Sequence, residues 1–181
     1  MVHQEVPVNL NQKIMKKVII LMLLSAAFTS LKAQIPQPDP DTTAKHFLIV
    51  ASIGNLQEAS AGQIAAMKAK HAGVKSFGQM MVKDHGQAEQ QLLQVAKNRN
   101  IDLPAAATGG IKPDVNLKDA GDNFDKLYVH AMVSSHRSTV AMFQNYAVTG
   151  KDPVVRSFAQ QMLPTLKEHL AAILAIEKQM N

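Results

Sequence analysis

The sequence predicts an all-α protein, a four-helix bundle with a long crossover between helices two and three. Three observations carry this. Four long segments place apolar residues at spacings of three and four, the period of one helix face. Breaks carrying glycine or proline separate those segments, at His71-Ala72-Gly73, across Asn100 to Asp119 and from Gly150 to Pro153. Three histidines, His85, His136 and His169, lie on or beside the apolar stripe of three different segments. A histidine on a core stripe is costly without a partner, so a shared polar interior is expected.

Helix one is expected from Thr42 or Thr43, either of which can cap it, to about Lys70. Phe47, Val50, Ile53, Ile64 and Met67 mark its apolar positions. A second face carries small residues, Ala51, Gly54, Ala61, Gly62 and Ala65, with Glu58 among them. Small residues let a neighbouring helix come close. His71-Ala72-Gly73 breaks the pattern. Helix two follows from about Val74 to Asn98, with Val74, Phe77, Met81, His85, Ala88, Leu92 and Val95 on one face.

Asn100 to Asp119 holds Pro104, Gly109-Gly110 and Pro113. At about 20 residues it exceeds the usual helix-to-helix loop and fits a crossover, with a short helix near Ala105. Helix three starts between Asp119 and Asp122 and ends before Gly150, its inner side marked by Tyr128, Met132, His136, Phe143 and Ala147. Asp152-Pro153 then supplies an N-cap and a first-turn proline. Helix four runs to about Met180, and Pro164 inside it removes one backbone hydrogen bond. Val155, Met162, His169 and Ile176 repeat every seven residues, as do Ala159, Leu166, Ile173 and Met180. Helices two and four also resemble each other around Phe77 and Phe158, though their histidines follow at eight and eleven residues.

The first 33 residues read as a secretory signal peptide. Met15-Lys16-Lys17 is basic, Val18 to Phe28 is apolar, and Ala33 suits the last position before cleavage. The apolar run is well short of the roughly 20 residues that span a bilayer. Residues 1–14 precede a better start at Met15, which fits an over-extended start or a long n-region. Residues 34–41 (QIPQPDPD) form a proline-rich leader, and 42–181 form the bundle domain. The expected location is the periplasm or outer envelope, with no transmembrane segment in the mature chain.

Cleavage after Ala33 leaves 148 residues and lowers the net charge from +5 to +2, because four lysines and one glutamate precede Gln34. Little basicity then remains for nucleic acid, and no basic stripe with interleaved aromatics is present. The chain has no cysteine. Disulfide scaffolds, thiolate metal sites and cysteine nucleophiles are excluded, so an exported chain of this kind depends on core packing.

Several separated motifs resemble a known family. Phe47 to Ala65 and Phe77-x-x-x-Met81-Val82-x-Asp84-His85 resemble the first half of an exported bacterial ferritin-like family, domain of unknown function 4142. Phe124-Asp125-x-x-Tyr128-Val129-x-x-Met132-Val133-x-x-His136, Gly150-x-Asp152-Pro153, Phe158-Ala159 and Leu163-Pro164-x-Leu166-x-x-His169-Leu170 resemble the second. The resemblance spans about residues 45–175. It implies a ferritin-like bundle and an envelope location, and it carries no established reaction. The chain departs from the family in Ser134-Ser135 before His136, where an acid is frequent. Di-iron bundles use Glu-x-x-His on two helices. Here Val82 and Leu166 stand three before their histidines, which argues against di-iron chemistry.

Glu58, His85, His136 and His169 place one candidate metal ligand on each helix. Imidazole and carboxylate suit zinc, iron, manganese or copper. Met81 and Met132, four residues before His85 and His136, share their faces and would suit copper(I), though methionine is also ordinary core filler. Asp84 and Glu168 point about 100° away from the histidines they precede and read as surface or inter-helix charges. His46, His71 and His130 follow no shared pattern and read as exposed. Ser134, Ser135 and Ser138 lack the orienting acid and oxyanion hole of a serine hydrolase. No catalytic residue is assigned. Three readings follow. The first is an exported, non-catalytic, stress-related envelope protein whose His-centred site holds a transition metal. The second is a structural or interaction bundle with a buried histidine network, and the third a metal-dependent oxidoreductase.

Overall fold

In the computed structural model, which describes residues 40–103, 117 and 120–180 with side chains from Ala44 onward, four long helices pack pairwise. They are α1 (Pro40–Lys68), α2 (Ala72–Asn98), α3 (Phe124–Thr149) and α4 (Pro153–Met180), with a 3-10 turn at Gly121–Asn123 ahead of α3. The main packing is α1 on α2 and α3 on α4, and the two hairpins meet through α2 with α4 and α1 with α3. The expected signal peptide, most of the leader and the helix near Ala105 lie outside the described residues. α1 begins at Pro40, two residues before Thr42, because a proline is pre-set for the first helical turn. α4 runs unbroken through Pro164. No described helix is long and apolar enough to cross a membrane.

The core has two apolar clusters. The first joins Phe47 and Leu48 of α1, Leu92 and Ala96 of α2, Phe143 and Tyr146 of α3, and Val155 and Phe158 of α4. The second joins Ala61 and Ala65, Val74 and Phe77, Phe124 and Tyr128, and Ile173. This membership fixes the helix directions. α1 and α4 run from the first cluster to the second, and α2 and α3 run the opposite way. α2 therefore ends at the first cluster while α3 starts at the second, and the connection bridges the two ends. Its described ends agree, with Ile101 and Leu103 packed on the first cluster and Leu117 buried in the second. The similar segments of α2 and α4 thus serve opposite ends: Phe77 packs in the second cluster and Phe158 in the first.

Glycine sets the closeness of α1 and α2. A Cβ on Gly62 would stand 2.6 Å from the Gly78 carbonyl oxygen, and one on Gly78 would stand 2.7 Å from that of Gly62. Both distances are below van der Waals contact, so neither position accepts alanine without moving a backbone. The small-residue face therefore does what its composition suggests, except at Gly54, where a Cβ would meet nothing within 4 Å.

Of the apolar positions expected for α1, Phe47 is buried and Ile64 packs on the second cluster, but two need correction. Val50 is 38% exposed and Met67 73%. The inward stripe instead runs through Ala44, Leu48, Ala51, Ser52, Asn55, Glu58, Ala61, Gly62 and Ala65. On α2 the inward line passes through Glu89 and Ala96, with Ala88 and Val95 half-buried.

Asp152 ties α4 to α2. Its carboxylate accepts the backbone N–H groups of Val154 and Val155, at 2.9 and 3.0 Å, and the Arg99 Nε–H at 2.6 Å. Burial alone would raise its pKa. The Val155 amide, the Arg99 guanidinium and the Val154 amide outweigh burial and hold it below the ordinary aspartate value. A depressed folded pKa means the stabilisation is complete above the unfolded value of about 3.9 and is lost as pH falls through the lower folded value. Asp152→Ala is expected to cost about 1–2 kcal/mol at neutral pH. Urea midpoints of the two proteins should differ at neutral pH and converge in acid; an equal gap at both would contradict the ionised cap.

Candidate metal centre

Between the two apolar clusters lies one polar layer with a contribution from every helix. Glu58 comes from α1, His85 from α2, His136 from α3 and His169 from α4, each 3% exposed or less. The helix directions bring these mid-helix residues to one level, and the Gly62–Gly78 approach draws α1 onto α2 there. The three imidazole centroids form a near-equilateral triangle with sides of 5.7, 5.3 and 5.5 Å. One nitrogen from each ring lies within 4.8 Å of the others. Phe77 packs against the triangle, 5.9 Å from the His136 ring and 6.4 Å from that of His169.

Each ring has one nitrogen tied to the protein and one untied. The His136 Nδ1–H donates to the Met132 carbonyl at 3.0 Å. The His169 Nε2–H donates to Asp84 Oδ2, also at 3.0 Å. His85 Nδ1 faces Asn55 Oδ1 at 3.1 Å. The Asn55 amide is fixed from behind, because its Nδ2 donates to Glu89 Oε2 at 3.1 Å while the Ser52 hydroxyl donates to Glu89 Oε1 at 2.6 Å. With its oxygen turned to the ring, Asn55 can only accept, so His85 Nδ1 carries a proton. The remaining nitrogens, His85 Nε2, His136 Nε2 and His169 Nδ1, are buried and have no hydrogen-bond partner among the described residues.

Glu58 lies beside two of the rings. Its Oε2 stands 2.9 Å from His85 Nε2, without the alignment of a hydrogen bond. Its Oε1 accepts the Ser135 hydroxyl and lies 3.6 Å from His136 Nδ1. Burial would raise the Glu58 pKa, but His85, His136 and Ser135 together outweigh it and hold it down to about 2. Burial lowers the pKa of His136 and of His169, with help from the neighbouring imidazoles and against the pull of Glu58 and, at His169, Asp84. Neutral imidazole is the ligating form. Tyr128 is fully buried, and burial, then the Glu58 charge, pushes its phenol pKa up.

Two cavities adjoin the layer. One of about 800 Å³ opens between α1 and α3, with Asn55, Glu58 and Ser135 in its wall. The other, about 20 Å³, is bounded by Asn55, Asp84, His85 and His169 among others, room for one water molecule.

Residues 29–176 match the family model described as a domain of unknown function, DUF4142. The chain belongs to that family. No curated protein and no solved structure matches it. In this DUF4142 domain His85, His136 and His169 come together in the polar layer, and Glu58 lies against two of them. Met81 and Met132 are members of the second apolar cluster, and the Met132 carbonyl accepts from His136 Nδ1–H. Asp84 is the inter-helix charge expected of it, and Glu168 is exposed. His46 and His130 are exposed as read, whereas His71 is half-buried because its backbone N–H is drawn to Asp125 of α3. Sequence reasoning missed Ser52, Asn55 and Glu89. The spacing of three from Ser52 to Asn55 on α1, continuing to Glu58, was the available signal for the first two.

Proposed function

We propose that this domain binds one divalent transition-metal ion through His85 Nε2, His136 Nε2 and His169 Nδ1, with Glu58 as a fourth ligand. The observation that carries the reading is the set of three buried, unpartnered ring nitrogens. Buried polar atoms are normally satisfied, and metal-bound histidines normally donate their other N–H to a carbonyl or carboxylate. All three rings follow that pattern, with Asn55, Met132 and Asp84 as the acceptors. Nitrogens bound to one tetrahedral ion at roughly 2.0–2.1 Å stand about 3.4 Å apart. One nitrogen of each ring already lies within 4.8 Å of the others, so ring rotation would bring the three toward that spacing.

A donor set of imidazole and carboxylate suits zinc, iron, manganese or copper(II) rather than calcium or magnesium, which take oxygen. The signal-peptide pattern supports an exported protein acting in the envelope, and one long crossover is the connectivity of ferritin-like bundles. A non-catalytic, metal-holding role is the reading these features support best. A histidine network without metal could give His85 Nε2 to Glu58 but would leave His136 Nε2 and His169 Nδ1 without a hydrogen-bond partner among the described residues. An oxidoreductase reading draws its support from the cavity that reaches Glu58.

Tag-free protein, dialysed against zinc or manganese and analysed for its elements, should retain one ion per chain and melt at a higher temperature. No retained ion and no thermal shift with zinc, iron, manganese or copper would overturn the reading.

A further inference from the structure

We propose that Glu89, which makes no hydrogen bond or ion pair to any imidazole among the described residues, sets the proton position on His85 through the Asn55 amide. The inference deepens the metal-binding reading and rests on it only for the consequence for affinity. Glu89 is a buried acid on α2, and its two oxygens accept from Ser52 and Asn55 of α1. An ionised carboxylate can only accept. It therefore forces the NH₂ end of Asn55 toward itself and the oxygen toward His85. That oxygen in turn requires a proton on Nδ1 and leaves Nε2, the nitrogen beside Glu58 Oε2, free to ligate.

The polarity of this chain can be inverted without changing its shape. Glu89→Gln places an amide at the head of the relay, and it can face Asn55 with either end. With its NH₂ end toward Asn55, the Asn55 amide turns over and donates to His85 Nδ1. The ring proton then moves to Nε2, 2.9 Å from Glu58 Oε2, where a small turn of the ring aligns it for donation. With its oxygen toward Asn55, the lone pair of His85 Nε2 keeps facing the Glu58 carboxylate at 2.9 Å. Only the first arrangement gives Glu58 a donor from a neutral ring, so it prevails. In that state Nε2 is blocked for metal.

A second change restores the original direction. In Asn55→Asp/Glu89→Gln, the carboxylate introduced at position 55 accepts from the amide behind it and from His85 Nδ1–H in front. A role limited to packing does not predict this recovery.

The test is nitrogen-15 NMR of the imidazoles in metal-free protein at alkaline pH, paired with zinc titration. His85 Nδ1 is expected to carry a proton in the unaltered protein, to lose it in Glu89→Gln and to regain it in the double variant. Zinc affinity should fall about 10–100-fold in Glu89→Gln, the range for lost outer partners, and recover in the double variant. An unmoved Nδ1 proton in Glu89→Gln, or its absence from the double variant, would overturn the relay. A proton that moves as described in a protein that takes up no zinc would uphold the relay and end the metal-binding reading.

Discussion

His136→Ala is expected to remove high-affinity zinc binding, with an affinity loss above a hundredfold. This residue has the least exposure of the four candidate ligands, and its Nε2 has no hydrogen-bond partner among the described residues. Losing an inner ligand should exceed the 10–100-fold typical of outer partners. At zinc one hundred times above the dissociation constant, the unaltered domain should gain about 2.7 kcal/mol, a rise in melting temperature of roughly 10 °C for a domain of this size. The variant should gain almost nothing. Chelator should narrow the gap between the two proteins, because what it removes is present in one and absent from the other. A variant that keeps the full zinc-dependent rise would show that His136 is not a ligand.

That result would also explain why an interior this polar persists. Ser52, Asn55, Glu58, Glu89 and three histidines all lie below a tenth exposure between two apolar clusters. Glu58 and Glu89 face no lysine or arginine in any ion pair among the described residues. Burying two carboxylates with no lysine or arginine beside them calls for positive charge, which a divalent ion on the proposed site would supply.

Much of this was legible in the sequence because helix period and punctuation dominate it. Asp152-Pro153 forms the N-cap it spells, and Gly150 ends α3. His85, His136 and His169 were conspicuous because imidazole is costly on an apolar stripe. The inner face of α1 was less legible for the opposite reason. A search for apolar residues selects Val50 and Met67, both exposed, while the true stripe is made of small and polar side chains. Glu58 stood out among the small residues, but Ser52 and Asn55 carry no apolar signal until α2 is laid against them. Glu89 was obscured similarly, since a lone acid near an apolar face gives no sign of the Ser52 and Asn55 donors on another helix. Periodicity finds which face is apolar, and partners held 34 or 37 residues away are beyond its reach.

Phe77→Ala should have the largest effect on stability. The ring is 2% exposed and belongs to the second cluster. It meets Tyr128 edge-on at 6.3 Å as well as the His136 and His169 rings. Truncating a buried phenylalanine costs about 3–5 kcal/mol in lost burial and residual cavity, a large part of the 5–15 kcal/mol typical of a whole domain. Here the cavity would open against two candidate ligands, freeing their rings to turn away from the common centre. Urea unfolding should show the loss, and zinc should return only part of it, because the ion must first reorder the rings. Phe77→Leu keeps most of the volume, so its cost should stay under about 1.5 kcal/mol with zinc binding largely kept. If Phe77→Ala cost less than about 1 kcal/mol, the ring could not be the packed wall of the histidine layer, and the precision of that layer would need another source.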